Sequence, residues 1–330
     1  MKISNVLQIP EKNILIVGNR SYKNLGDELI LLGTVKLLLQ ENKKITIAAY
    51  DPEWLKKFFS QFIDIDKITF VTEIPKGIRS RIKYLQQGKM RERKLYRKTN
   101  AVIIGGGEII TEENKNSYRY RLVSLLPCLD KPRYLMGGIQ VPKKRINIFL
   151  FTVLLKKTKH IFARDNETVE ELKTYGFDKV EFFMDTSFFG YNRKSVKPNS
   201  TGKFQQKYIV VNVNKNAEQF LPEIIQEVKG YYNKGYAIYY VPVAKGKNSQ
   251  YNDIQYAQRI KMGAEIKDQR FTILDREEDF DHFIKIVVQA SIVISSRLHL
   301  FLIASFLGIP TKVYPYQKKI LKMKNIIEKI

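Results

Sequence analysis

Short runs rich in β-branched residues recur along the whole chain with helical patterns between them, and no other feature restricts the fold as much. "NILIV" from Asn13 reads as a buried strand and "DELILLGTVKLLLQ" from Asp27 as the helix after it, with Asp27 as N-cap. "ITIAAY" from Ile45, "KITFV" from Lys67, "AVIIGGG" from Ala101, "RYLMGG" from Arg133, "HIFA" from His160 and "KVEFF" from Lys179 continue the series. Strands that alternate with helices imply βαβ units and a parallel sheet covered on both faces, so the expected class is α/β.

Between Tyr191 and Lys207 the chain reads "YNRKSVKPNSTGKFQQK", polar and rich in turn formers. That stretch marks a domain boundary, with residues 1–194 on one side and 195–330 on the other. The alternation then restarts with "YIVVNV" from Tyr208, "YAIYYVPV" from Tyr236, "FTIL" from Phe271, "SIVISS" from Ser291 and "TKVY" from Thr311. A length of 330 residues suits two domains. The expected architecture is two Rossmann-like, doubly wound domains facing a cleft, because open α/β sheets bind ligands at the carboxyl ends of their strands.

Lys and Arg outnumber Asp and Glu by 57 to 33, a net charge of +24 that favours an anionic partner: nucleic acid, an anionic lipid surface or a phosphorylated substrate. Cys128 is the single cysteine, so no intrachain disulfide can form. Pro10, Glu11 and Lys12 interrupt the start of the chain, which argues against a signal peptide. "INIFLFTVLL", from Ile146 to Leu155, is half the length needed to span a bilayer and is hemmed in by lysines and arginines. A cytoplasmic protein is expected. The basic, amphipathic stretches 76–99, with Ile78, Ile82, Leu85 and Leu95, and 317–330 leave two readings open: contact with the inner face of an anionic membrane, or solvated faces over the protein's own core.

The candidate functional residues fall at strand ends. "GNRSYKNLGDE" follows the first strand, with Gly18 and Gly26 permitting tight turns, but the glycines match neither GxGxxG nor GxxxxGK[ST]. Gly105 to Gly107 read as a bare backbone turn that lets a ligand approach. In "HIFARDNETVEEL", Asp165 caps a helix with Glu167 in its first turn, while Arg164 either points from a strand end to the cleft or pairs with neighbouring acids. "SSRLHLFLIASFLG" reads as a buried helix ending at Gly308, capped by Ser295 or Ser296, with Arg297 and His299 at its mouth. Burial and the helix dipole both oppose positive charge there, and a bound anion reverses that balance. His160 and His282 read as structural. Tyr316, Lys318 and Lys319 stand after the last strand and would complete a cationic pocket. Asp27, Glu28 and Asp185 lack a metal-ligand spacing, and no metal is expected.

With those residues on the page, the chain resembles the polysaccharide pyruvyltransferase family: "KNLGDE" after the first strand, then "GGG", "ARD", "MDTSFF", "SRLH", "GIP" and a terminal "KKI", in order from Asn13 to Ile320. The resemblance implies a GT-B-like fold, phosphoenolpyruvate as co-substrate with no bound cofactor, and a sugar of a cell-surface glycan or its lipid-linked precursor as acceptor, joined as a pyruvyl ketal. It implies donor-binding and catalytic roles for Arg164, Arg297, His299 and Lys319. Tyr316, Gly105 and Gly106 are assigned to the donor beside them, and Asn24, Gly26, Asp27 and Glu28 to the acceptor. Leu300 and Phe301 depart from the smaller residues common in the family. Two rival readings are a GT-B glycosyltransferase using a nucleotide sugar and a basic nucleic-acid-binding protein; the second lacks any RNP, zinc-finger or helix-turn-helix signature.

Overall fold

A parallel strand with helices on both faces must be apolar on both, and β1 (Asn13–Val17) is buried from Ile14 onward. The computed structural model describes residues 7–18, 24–75, 84, 86, 90–112, 118, 122, 125, 128–190, 206–244, 252–274 and 280–327. The chain divides into two compact units, residues 1–21 with 27–191 and residues 22–26 with 192–330.

In the first unit the elements run β1, α1 (Leu25–Gln40), β2 (Lys44–Ala49), α2 (Pro52–Phe59), β3 (Ile68–Thr72), α3 (Met90–Lys98), β4 (Ala101–Ile110), β5 (Arg133–Ile139), α4 (Arg145–Leu155), β6 (Thr158–Ala163), α5 (Asn166–Thr174), β7 (Val180–Phe182) and α6 (Ser187–Gly190). The strands form one parallel sheet in the order β3-β2-β1-β4-β5-β6-β7. The chain winds outward from β1 to β3 and then resumes at β4 on the other side of β1. The connections after β1 and β4 therefore leave in opposite directions, the switch point at which such sheets bind ligands. Leu15, Val17, Val102, Ile104, Leu135 and Ile161 pack in its core.

The second unit repeats the winding. It contains β8 (Tyr208–Asn212), a 3₁₀ turn (Lys215–Phe220), α7 (Leu221–Asn233), β9 (Ala237–Tyr240), α8 (Ile254–Gly263), β10 (Phe271–Ile273), α9 (Phe280–Val288), β11 (Val293–Ser295), α10 (Leu298–Phe306), β12 (Thr311–Val313) and α11 (Lys318–Ile327). The parallel order is β10-β9-β8-β11-β12, which puts the switch point between β8 and β11. Ile209, Val211, Ile224, Val228, Ile238 and Ile294 form its core.

Each run of β-branched residues singled out in the sequence contains a strand; the departures are local and have physical causes. Helix α1 begins at Leu25 rather than after Asp27, and Asn24 Oδ1 accepts from the Gly26 amide at 3.3 Å, leaving Asp27 in the first turn. Gly105 to Gly107 do not form a turn: they lie inside β4, where the pairing with β5 shifts register between Gly105 and Glu108. Gly106 and Gly137 both have left-handed φ, 135° and 134°. A Cβ on Gly137 would stand 2.1 Å from the Gly106 carbonyl oxygen, so glycine is required where these strands meet. Helix α10 ends at Phe306, two residues before the expected Gly308, with Leu307 as its C-cap. That glycine, at φ 74°, closes the helix through bonds from the Gly308 amide to Ser305 and from the Ile309 amide to Ala304.

Neither Ser295 nor Ser296 caps α10. Ser295 Oγ accepts from the amide of Arg297 and donates to its carbonyl, and Ser296 Oγ accepts from the Asn214 amide at 2.9 Å. Among the described residues no helix is long and apolar enough to cross a membrane. Of the basic stretches, Ile78, Ile82 and Leu85 lie outside the described residues. Leu95 packs against the first core, Ile320 and Met323 are buried, and Leu321 is exposed.

Candidate active site

At the switch point of the second sheet the strand ends turn polar, with Asn212 ending β8 and Asn214 just beyond it, and Ser295 ending β11 with Ser296 and Arg297 after it. The Arg297 guanidinium meets a carboxylate there: Nη2 donates to Asp253 Oδ1 at 2.6 Å and Nε to Oδ2 at 3.1 Å. Asp253 is only 1% exposed and also accepts from Asn212 Nδ2 (3.0 Å) and the Ala244 amide (3.2 Å), while Tyr240 donates its hydroxyl to the Asp253 carbonyl at 2.7 Å. Burial alone would lower the Arg297 pKa, but the Asp253 charge and its hydrogen bonds, with a smaller contribution from Tyr316, outweigh it and raise the value. The counter-charge to the cation at the mouth of α10 is thus built into the unit, where the sequence had pointed to a bound anion.

The N-cap position of α10 is Arg297 itself, whose side chain makes no capping hydrogen bond. Asn214 sits beside this helix start. Its Oδ1 accepts from the Ala217 amide at 3.0 Å, which fixes the amide orientation, and Nδ2 is buried without a hydrogen-bond partner among the described residues. An orphaned buried donor costs about 1–3 kcal/mol, which an anionic oxygen would offset. Asn212 Oδ1 is likewise buried and unpaired among the described residues.

His299 is half-buried and lies on the backbone of the "KNLGDE" segment. A Cβ on Gly26 would stand 1.9 Å from the imidazole Nδ1 and 2.5 Å from Cε1 and Cγ. The Asn24–Ala244 bridge and the bond from the Leu25 amide to Val243 hold that segment in the second unit. Gly26→Ala is therefore expected to push the imidazole aside, lowering activity by about 10²-fold if His299 is catalytic, with overpacking costing about 1–3 kcal/mol. Steady-state rates and urea unfolding of the variant check both expectations.

The first unit gathers a second polar cluster. Arg164 Nη1 donates to Asp185 Oδ2 at 3.0 Å, and Asp185 Oδ1 accepts from the Ser187 amide at 3.0 Å. A Cβ on Gly138 would lie 2.4 Å from Arg164 Nη2, and one on Gly107 would lie 3.1 Å from Asp27 Oδ1. The "GGG", "ARD" and "MDTSFF" motifs and Asp27 therefore converge through glycine contacts. The cavity lined by Gly106, Gly137, Arg164 and Asp185 has a volume of about 10 Å³, room for a water and not for a substrate. Asp165 caps α5 by accepting from the Thr168 amide at 2.9 Å, as the sequence indicates.

The expected site residues thus sort into two groups. Asn24, Gly26, Arg297, His299 and Tyr316 belong to the second unit, and Asp27, Glu28, Gly105, Gly106 and Arg164 to the first. Lys319 stands in the first turn of α11, its side chain outside the described residues. Sequence reasoning passed over Asp253, Asn212 and Asn214. The two asparagines carried a usable signal, Asn212 within and Asn214 directly after the otherwise apolar "YIVVNV"; Asp253, 44 residues before Arg297, carried none. Among the described residues no group of three or more His, Cys, Asp or Glu side chains is placed to hold a metal ion.

Residues 24–317 match the family model described as polysaccharide pyruvyl transferase. A search of curated proteins returns no match. Among solved structures, the UDP-GlcNAc 2-epimerase from Neisseria meningitidis bound to UDP-GlcNAc is 15% identical with a TM-score of 0.61, over 96% of this chain and 90% of that one. A glycosyltransferase from Rickettsia africae ESF-5 is 12% identical with a TM-score of 0.56, over 92% and 79%. The UDP-GlcNAc 2-epimerase from Methanocaldococcus jannaschii in complex with UDP-GlcNAc and UDP is 13% identical with a TM-score of 0.54, over 91% and 83%. At these identities the likeness shows the fold alone, a GT-B-like α/β fold.

Proposed function

This chain belongs to the polysaccharide pyruvyl transferase family, and we propose that it moves the pyruvyl group of phosphoenolpyruvate onto two hydroxyls of one sugar in a cell-surface polysaccharide or its lipid-linked precursor. The observation that supports this most is Asn214 Nδ2, buried without a hydrogen-bond partner among the described residues, beside the start of α10, where the N-cap Arg297 makes no side-chain capping bond. Phosphoenolpyruvate carries a carboxylate and a phosphate, and its oxygens are the acceptors such donors lack. Asp253 occupies Nε and Nη2 of Arg297, so the guanidinium is held in one orientation with Nη1 left for the donor. Tyr316 and Lys319 join the donor contacts in this reading. Arg164, Gly105 and Gly106 are assigned to the donor, and Asn24, Gly26, Asp27 and Glu28 to the acceptor, on their motifs.

The chemistry is a net exchange. C3 of the enol gains a proton and becomes a methyl group, and the first sugar hydroxyl adds to C2 as it loses its proton. The C2–O bond to phosphate then breaks, and the second hydroxyl closes the ketal with loss of its own proton. Of the two hydroxyl protons released, one is matched by that taken up at C3 and the other leaves with phosphate. A neutral His299 can accept a hydroxyl proton, and the imidazolium so formed can return one to carbon or phosphate. Donor anions close to the imidazole favour that charged form. Arg297 and the helix amides offset the charge that develops on the departing phosphate.

The test is to incubate the protein with phosphoenolpyruvate and a panel of glycosides, following phosphate release and product mass. Acceptor-dependent phosphate release with the mass gain of a pyruvyl ketal is expected. A hexose transferred from a nucleotide sugar instead would favour the glycosyltransferase reading and overturn this one.

A further inference from the structure

Helix α4, "RINIFLFTVLL", is apolar nearly all round, a composition that normally marks a helix enclosed on every side. The face that carries Asn147, Phe151 and Leu154 is buried, with Leu150 and Leu155 packed against the first core on either side of it. Ile146 and Phe149, one turn apart on another face, are 64% and 62% exposed, with Val153 continuing their line half-buried. Cations frame this apolar surface at both ends: Lys143, Lys144 and Arg145 before it and Lys156, Lys157 and Lys159 after it, all exposed. No Asp or Glu occurs from Lys131 to Arg164. Glu112 stands at the helix start, accepting from the Lys143 and Lys144 amides at 3.0 and 2.9 Å and from Asn147 Nδ2 at 3.1 Å.

We propose that this face of α4 docks the protein on an anionic lipid bilayer. An apolar ridge framed by cations is complementary to a surface that is negative outside and apolar beneath. A second copy of the chain would present the same cations to them, and the like charges would repel. Nucleic acid supplies the negative charge but nothing for Ile146 to bury against. The surface contains none of the residues assigned to the donor or the acceptor, so docking is measured without reference to transfer activity.

Cosedimentation of the full chain with phosphatidylcholine vesicles, with and without phosphatidylglycerol, tests this. Binding is expected only with phosphatidylglycerol and is expected to fall at high salt. The double variant Ile146→Ser/Phe149→Ser is expected to bind about tenfold more weakly or worse with an unchanged melting temperature, since both side chains are already exposed. Lys143→Gln/Lys144→Gln/Arg145→Gln is expected to lose about tenfold at low salt. A probe at the ridge adds a second readout: Cys128 is buried with its thiol pushed up to about 12 by burial, so Phe149→Cys offers a selective attachment point for an environment-sensitive dye. Its emission should shift to the blue on vesicles containing phosphatidylglycerol. Absence of binding by the wild type, wild-type binding by the Ile146/Phe149 double variant, an unshifted dye, or self-association through this face without lipid would each overturn the proposal.

Discussion

Alanine in place of His299 is expected to lower pyruvyl transfer by about 10²–10⁴-fold, the usual cost of removing a general acid or base. Phosphoenolpyruvate affinity should change little, because Arg297, Asn214 and the α10 amides remain. The imidazole rests against the Gly26 backbone and is half-buried, outside the fully buried core. Single-turnover rates measure the chemistry and titration calorimetry measures the donor. Near-wild-type turnover would remove His299 from the reaction. Lost affinity with an unchanged rate of transfer once bound would recast it as a donor contact.

Asp253→Ala should have the largest effect on stability of any change at the site. The carboxylate accepts from Arg297 through two nitrogens, from Asn212 and from the Ala244 amide while almost wholly buried. Its removal leaves a guanidinium that is only 17% exposed without its counter-charge, a situation that costs about 3–5 kcal/mol. Urea unfolding should show that loss, and the kcat/KM for phosphoenolpyruvate should fall as Arg297 loses its fixed orientation. Asp253→Asn keeps the size and one acceptor oxygen and should lie between the two. Wild-type stability in the alanine variant would mean that Arg297 is held by something other than this pair.

The strands were legible because a parallel sheet buried on both faces needs unbroken apolar runs, and "NILIV", "YIVVNV" and "SIVISS" are of that kind. Asp165 as the cap of α5 was legible for a local reason, since its bond to the Thr168 amide spans only three residues. What depends on distant partners was not. Arg297 reads from sequence as a cation in need of an anion; that Asp253 supplies one depends on how α8 enters beside β9. The glycines of "GGG" look like a turn until β5 brings Gly137 against Gly106, where a side chain has no room. Ser295 and Ser296 look like caps, yet their hydroxyls bond the Arg297 backbone and the Asn214 amide instead. Arg164 had two readings, and its partner turned out to be Asp185 of "MDTSFF", 21 residues away.

Hydrogen–deuterium exchange of the full chain with phosphoenolpyruvate, and separately with a nucleotide sugar, tests the placement of the donor most directly. Slower exchange is expected with phosphoenolpyruvate alone, at the amides following β8 near Asn214 and in the first turn of α10 from Leu298 to Leu300. Unchanged exchange in both segments at saturating phosphoenolpyruvate, or the same protection produced by the nucleotide sugar, would contradict it.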